Sequence, residues 1–492
     1  MSVAKSVVRN TAFEFSGQVV SNILSYFLII LIARYLGDVG LGQYSFVFAF
    51  IGTASVFLDF GVGSYFIVYV ARNKKLIKKY FQNFMAIRLI TAFIVLLIPI
   101  IGSFFIHKDP AVTLSIWLGS FAIFFMNIGN AMRYVFVIFE RFEYNAIVNI
   151  VERSIAFGVG IFLLLKYQSL PMFIIALLIS YLSTIILSYI FLKKFTTFGL
   201  KFDFKFWRRL FVAGFPFFLV ALAYVFIQRM DIILLSFIAG DAATGWYSAA
   251  YRLIDIVNLV PVVLGSVSMP VLARLFSENK ESMILLLNKI IKYSILIALP
   301  IAIGTLLLAD RVILFVYGVQ FFNSIIALKL LIFMEAIIFV NVVLGSILSS
   351  LLEQKRFLIA IAIGAVVSVV LNLILINKYG FVGAGITAII TQLVIFFIMY
   401  YFISSRNIKI PFLSYLWKPI IACAAMAFLI IKLSWLPLWW LVIIVSLVYL
   451  GVVFLLRAID QSDIDLIKEM AGGFSKNSVS KLSSLLKKKK EK

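Results

Sequence analysis

Apolar residues along this chain gather in blocks, and the polar and turn-forming positions fall between them at nearly regular intervals. Runs such as "LIALPIAIGTLLLA" and "IIACAAMAFLIIKLSWLPLWWLVIIVSLVYLGVVFLL" are longer than a soluble core requires. About 20 apolar residues carry a helix across a bilayer. On that measure the pattern predicts fourteen helices, at about 12–34, 43–70, 84–106, 112–136, 144–165, 172–192, 211–238, 246–272, 284–308, 325–350, 357–377, 381–404, 415–434 and 436–457. The expected fold is an all-α polytopic membrane protein.

Composition agrees. Hydrophobic residues are 64% of the 492 positions and charged residues 13%, against roughly 45–50% and 25% in soluble domains. The first run carries Glu14, Gln18 and Asn22 and no small-residue cleavage site follows it, so a cleaved signal peptide is not expected. Cys423 and His107 are the single cysteine and histidine, which leaves no disulfide framework and almost no ligands for zinc or haem. No cofactor is expected.

The net charge of +23 is placed by topology. Even-numbered loops hold Arg72, Lys74, Lys75, Lys78 and Lys79; Arg141; six basic residues from Lys193 to Arg209; Arg274 and Lys280; Lys355 and Arg356; Arg406, Lys409 and Lys418. The odd loops hold Arg34, Lys108, Lys166, Arg311, Lys329 and Lys378. Positive residues stay in the cytoplasm, so both termini are expected inside, with the excess charge facing an anionic inner leaflet. Nucleic acid is a poor reading.

A phrase recurs along the chain. "GDVGLGQYS" (Gly37 to Ser45) returns 203 positions later as "GDAATGWYS" (Gly240 to Ser248). "LIPIIG" in predicted helix 3 is echoed by "LPIAIG" in helix 9, and "FERFEYNAIVNIVERSIAFGVGIFLLLKY" by "LEQKRFLIAIAIGAVVSVVLNLILINKYG", setting Glu140 against Glu353. Three echoes in one order predict two parallel six-helix repeats plus two C-terminal helices. The expected domains are a first lobe at 1–192, a cytoplasmic interfacial linker at 193–210, a second lobe at 211–405, helices 13 and 14 at 406–457, and a basic tail at 458–492. Parallel repeats hold substrate between the halves and rock to expose it alternately. The linker "KKFTTFGLKFDFKFWRRL" alternates aromatic and charged residues, as a segment in the headgroup layer does.

Charged residues inside spans cost roughly 2.5–3.5 kcal/mol each and face a bundle interior or a wet cavity. Helix 1 aligns Glu14, Gln18, Ser21, Asn22 and Ser25 on one face, and helix 2 aligns Ser45, Gly52, Ser55, Asp59 and Gly63. Helix 7 offers Tyr224, Gln228 and Asp231 beside Arg229; helix 8 offers Tyr247, Tyr251, Asp255 and Asn258, with Arg252 one turn before Asp255. These are the first two helices of each half, so a shared hydrated cavity explains them economically; structural pairs Arg229–Asp231 and Arg252–Asp255 are the plain alternative. Arg88, Arg133, Glu152, Arg153, Lys289, Lys292 and Glu335 are read as structural, and Pro216, Pro261, Pro270 and Pro300 as bends in helices 7 to 9. No loop is long enough for a nucleotide-binding domain, and no Gly-x-x-x-x-Gly-Lys-Ser/Thr stretch occurs, so ATP is not the direct energy source. A membrane enzyme is disfavoured.

The Gly-Asp-x-x-x-Gly-x-Tyr-Ser turns, "RMDIILLSFIAG", "VYGVQFFNSIIALKLL" and "YGFVGAGITAIITQ" resemble the polysaccharide transporter branch of the multidrug/oligosaccharidyl-lipid/polysaccharide exporter (MOP) superfamily, the O-antigen-type flippases. The resemblance implies a flippase in a prokaryotic plasma membrane. It would carry a prenyl-phosphate-linked oligosaccharide from the cytoplasmic to the outer leaflet, driven by membrane potential or by a coupling ion (proton or sodium). Arg229 and Arg252, then Arg34 and Arg88, are the implied phosphate ligands, since guanidinium matches phosphate oxygens. A cation-coupled multidrug/toxin antiporter is the rival, and other glycan-assembly proteins stay open as partners.

Overall fold

The computed structural model describes residues 3–58, 62–63, 66–67, 70, 73 and 76–458, with side chains from Ser21 onward except at 209, 213, 216, 217 and 277. No β-strand occurs among the described residues, and twelve helices are long and apolar enough to cross a membrane. They are α1 (Val3–Ser55), α2 (Ile77–Ser103), α3 (Pro110–Ile138), α4 (Phe142–Tyr167), α5 (Leu170–Leu192), α6 (Phe204–Ile238), α7 (Gly240–Glu278), α8 (Lys280–Val316), α9 (Ser324–Ser350), α10 (Gln354–Ser404), α11 (Phe412–Lys432) and α12 (Leu438–Leu455). The protein is an all-α, multi-pass membrane protein.

Two of these helices are about twice the length a bilayer needs: α1 has 53 residues and α10 has 51. Each is broken at a single glycine, Gly37 (φ 70°, ψ −168°) and Gly380 (φ 55°, ψ −134°). Left-handed backbone crowds a Cβ against the carbonyl, and glycine has none. Where the sequence predicts loops of several residues at 35–42 and 378–380, the chain turns on one residue and resumes its helix.

The backbone repeats along with the sequence. Gly37 and Gly240 are both left-handed, and so are Gln168 and Gly380, at φ 45° and 55°. After α3 the amide of Arg141 donates to the carbonyl of Phe136 (2.8 Å), and after α9 that of Glu353 donates to Leu348 (2.9 Å), with Glu140 and Leu352 each at φ 58°. This shared turn aligns Glu140 with Leu352, one residue from the register read in sequence. Glu353 is occupied differently: its carboxylate pairs with Arg356 (2.8 Å) and with Arg406.

Local signals place other helix ends. The Asp203 carboxylate accepts from the amide of Phe206 (3.1 Å) and starts α6, so the second half of the expected linker is already helical. Asn279 does the same for α8 through Ser282 (3.1 Å). Such caps satisfy amides that have no partner in the first turn. Pro261 and Pro270 in α7 and Pro300 in α8 lie inside helices that continue past them.

The chain forms two compact units, residues 1–249 with 368–381, and residues 250–367 with 382–492. In the first, α1 packs on α4 and α6, α3 on α5, and α2 on α3; Phe81, Phe84, Phe136 and Trp207 centre an aromatic cluster, with Phe66 stacked 4.4 Å from Phe84. In the second, α8 packs on α9 and α11, and α11 on α12. The buried positions of α12 are Leu441, Val445, Tyr449 and Val453, every fourth residue, one stripe of a helix. Tyr449 also donates its hydroxyl to the Leu296 carbonyl (2.7 Å). Trp439, Ile443, Leu447 and Phe454 stay exposed on the remaining surface, a free-energy penalty in water but none against lipid tails.

Candidate functional site

The two repeated turns meet each other. A Cβ on Gly42 would lie 2.7 Å from the carbonyl carbon of Asp241 and 2.9 Å from the amide nitrogen of Gly245. One on Gly245 would lie 2.7 Å from the carbonyl carbon of Asp38. Each glycine therefore admits the backbone of the other copy, as small residues do wherever membrane helices touch. The flanking acids complete the contact. Trp246 Nε1 donates to Asp38 Oδ2 (2.8 Å), and the amide of Val39 donates to Asp38 Oδ1 (2.9 Å). Lys108 Nζ donates to Asp241 Oδ1 (2.7 Å) and to the carbonyl and hydroxyl oxygens of Ser236 (2.9 Å each). The Ser236 hydroxyl passes its own hydrogen to Asp241 (2.7 Å). Phe46 and Phe237 flank the ammonium at 5.1 and 5.8 Å from ring centroid. All of these residues belong to the first unit. In the sequence Lys108 is only one of a few basic residues in odd loops.

The polar face of α6 lies in the same unit. Asp231 is buried; the Tyr247 hydroxyl donates to its Oδ2 (2.7 Å) and the Ile232 amide to its Oδ1 (2.8 Å). Both carboxylate oxygens are thus held without a hydrogen bond from Arg229. Arg229 is half-buried and, among the described residues, makes no hydrogen bond or ion pair. Its Nε sits 4.0 Å from where a Cβ on Gly52 would be, against the stripe of Ser45, Gly52 and Ser55. The hydroxyls of Ser55 and Ser25 are turned onto their own helix, donating to the carbonyls of Gly52 (2.6 Å) and Ser21 (2.8 Å). Asn22 is half-buried, while Tyr224, Gln228 and Arg34 are exposed. Asp59 and the side chains of Glu14 and Gln18 lie outside the described residues.

In the second unit α7 carries Tyr251, Arg252, Asp255 and Asn258 over successive turns. Arg252 Nη1 donates to Asp255 Oδ2 at 3.4 Å, a half-exposed pair. Asn258 Nδ2 reaches both oxygens of Glu335 on α9, at 3.0 and 3.2 Å. Glu335 is 1% exposed and has no other hydrogen-bond partner among the described residues. Its position in the middle of an apolar helix gives no hint of a partner 77 residues away.

The remaining intramembrane charges are built into the packing. Arg88, 3% exposed, donates to the carbonyl of Leu58 (3.0 Å), to Asn127 Oδ1 (3.4 Å) and to the Tyr134 hydroxyl (3.3 Å), under the rings of Phe84 and Tyr134. Arg133 donates to the side-chain oxygens of Asn130, Asn145 and Asn149. Glu152 accepts from Thr184 (2.9 Å) and lies 3.6 Å from Arg153.

Twelve membrane-length helices in two compact units define the protein as a polytopic all-α membrane protein. Solved structures share this fold. One is a lipid II flippase, MurJ, in an inward closed conformation, at TM-score 0.74 and 18% identity over 92% of this chain and 99% of that one. Another is an inward-facing multidrug resistance MATE transporter of the MOP superfamily, at TM-score 0.61 and 18% identity over 78% of this chain and 95% of that one. The family model described as "Polysaccharide biosynthesis protein" matches residues 7–276, more than half of the chain, and the chain belongs to that family. A probable low-salt glycan biosynthesis flippase of Haloferax volcanii is 26% identical over 162 residues, 33% of this chain; the match spans about a third of that relative, 34% of its length. An uncharacterized membrane protein of Methanocaldococcus jannaschii is 22% identical over 448 residues, 85% of this chain and 87% of its own.

Proposed function

We propose that the protein is a flippase that moves a prenyl-phosphate-linked oligosaccharide from the cytoplasmic to the outer leaflet of a prokaryotic plasma membrane. Counting each glycine-broken helix as two spans gives the fourteen-span arrangement, with both termini cytoplasmic and the six-helix halves 1–192 and 211–405 alternating access to a hydrated path. The observation that carries this reading is Arg229. Its guanidinium lies within a span and feels the neighbouring charge of Asp231, but makes no hydrogen bond or ion pair among the described residues, which leaves its donors for water or a mobile anion. A phosphate head supplies that anion in bidentate geometry. Arg252, tied to Asp255 at 3.4 Å, is the candidate phosphate ligand of the second unit. Membrane potential favours the outward step, at about 2.3 kcal/mol per charge per 100 mV; Asp231 and Asp255 are the described acids available for coupling to a proton or sodium ion. The polysaccharide biosynthesis family and the glycan flippase relative support the substrate class.

The test is flipping of a labelled prenyl-phosphate sugar in proteoliposomes, followed by its loss of accessibility to an impermeant quencher with and without an inside-negative potential. Wild-type protein is expected to flip it, faster with the potential. Arg229→Ala is expected to abolish flipping and Arg229→Lys to retain part of it. Absence of flipping for several prenyl-linked sugars, with proton-driven efflux of a cationic dye instead, overturns the proposal in favour of a cation-coupled multidrug antiporter.

A further inference from the structure

The two turns share a backbone but are held unequally. Asp38 is bound by a neutral indole, Trp246, whereas Asp241 is bound by an ammonium, Lys108. The Lys108–Asp241 pair is mostly sheltered, with side-chain exposures of 14% and 15%. The residue 203 positions after Lys108, the offset that relates the turns, is Arg311. Its guanidinium is committed elsewhere, donating to the carbonyl of Leu436 (3.1 Å) and to that of Ser434 between α11 and α12. Arg311 lies inside α8 and fastens the last two helices, whereas Lys108 lies between α2 and α3 and reaches across to the turn of the other copy.

Every bond in this junction can be exchanged for water at a membrane surface, and the glycines that fit the backbones together leave no interlocked side chains at the closest approach. We propose that the paired turns are a latch that holds the α6–α7 junction against the second segment of α1, that the turns part when the transporter opens on that side, and that Lys108 sets the balance between latched and parted forms. The proposal rests on the transport reading above, since a latch has a purpose only in a protein that alternates. Removing a charge-assisted hydrogen bond of this kind shifts the ratio of parted to latched molecules by about tenfold or more.

The experiment uses the full chain in lipid nanodiscs with Cys423→Ala. Nitroxide labels go on Val39→Cys and Ala242→Cys, one on each turn; Val39 is 46% exposed and Ala242 half-exposed. Pulsed dipolar spectroscopy is expected to give one short distance in this background. Lys108→Met and, from the other end of the bond, Asp241→Asn are each expected to add a longer distance. Lys108→Arg is expected to keep the short one, and Arg311→Met to leave the distribution unchanged. An unaltered distribution in both Lys108→Met and Asp241→Asn overturns the proposal, as does an equal change from Arg311→Met. No substrate is present, so a failed flipping assay and a failed latch are separate results.

Discussion

Alanine in place of Gly42 or Gly245 is the sharpest perturbation the structure offers. The added Cβ meets helix backbone, not a flexible side chain: the nearest carbonyl carbon is at 2.7 Å in each case, where ordinary contact begins at 3.4 Å. Relief requires the two turns to separate by on the order of 1 Å, and overpacking of that kind costs about 1–3 kcal/mol. Because the contact is reciprocal, the separation that accommodates Gly42→Ala also makes room for Gly245→Ala. The double variant is therefore expected to lose less than the sum of the singles, by about 1 kcal/mol. The assay is the thermal midpoint of the purified protein in detergent, followed by size-exclusion recovery after heating, with Gly158→Ala and Gly451→Ala as controls. Nothing lies within 4 Å of a Cβ at either control position, and replacing glycine by alanine in a helix gains about 0.5–1 kcal/mol. Midpoints for Gly42→Ala and Gly158→Ala that coincide, or strictly additive losses in the double variant, would refute the reasoning.

Other substitutions probe single bonds. Tyr247→Phe removes the hydroxyl from buried Asp231 and is expected to cost about 1–3 kcal/mol, visible as a lower thermal midpoint that Tyr247→Phe/Asp231→Leu partly restores. Asn258→Ala leaves Glu335 buried without its amide partner; a loss of about 1–3 kcal/mol is expected, and replacing both with apolar residues is expected to recover most of it. Arg311→Met frees the Ser434 to Leu436 loop and is expected to speed proteolysis there severalfold while the first unit stays resistant, as gel fragments would report.

The helices were legible because a bilayer demands a long apolar run, and no other structure produces so many of them. The turns were harder. Gly37 and Gly380 stand in stretches rich enough in polar residues to suggest loops of several residues, yet one left-handed glycine suffices at each. Asp203 carries an ordinary capping signal, but the alternation of aromatic and charged residues around it points to an interfacial linker, and α6 begins there. For the candidate site, helical spacing identifies which residues share a face, and Arg229, Asp231, Tyr247, Asp255 and Asn258 all belong to polar faces. Spacing says nothing about who faces whom. The natural pairing by proximity in sequence, Arg229 with Asp231, is not the hydrogen bond that forms; Tyr247 takes the acid. Lys108 and Glu335 find their partners, Asp241 and Asn258, 133 and 77 residues away, and only tertiary packing brings such groups together.

One feature of the first unit bears on how the protein is made. That unit comprises residues 1–249 and a late piece, 368–381, and the ring of Phe381 stands edge-on to Trp246 at 5.7 Å. Domains generally assemble as units as the chain emerges from the ribosome, at about 5–20 residues per second. The amino-terminal unit must therefore wait for roughly 130 further residues, on the order of 7–25 s, before its last part has been synthesised. During that interval Trp246 is without its aromatic neighbour and the newly inserted helices are unfinished. Chains cut short anywhere before 368 never acquire the last piece of the first unit, and Trp246 stays without Phe381.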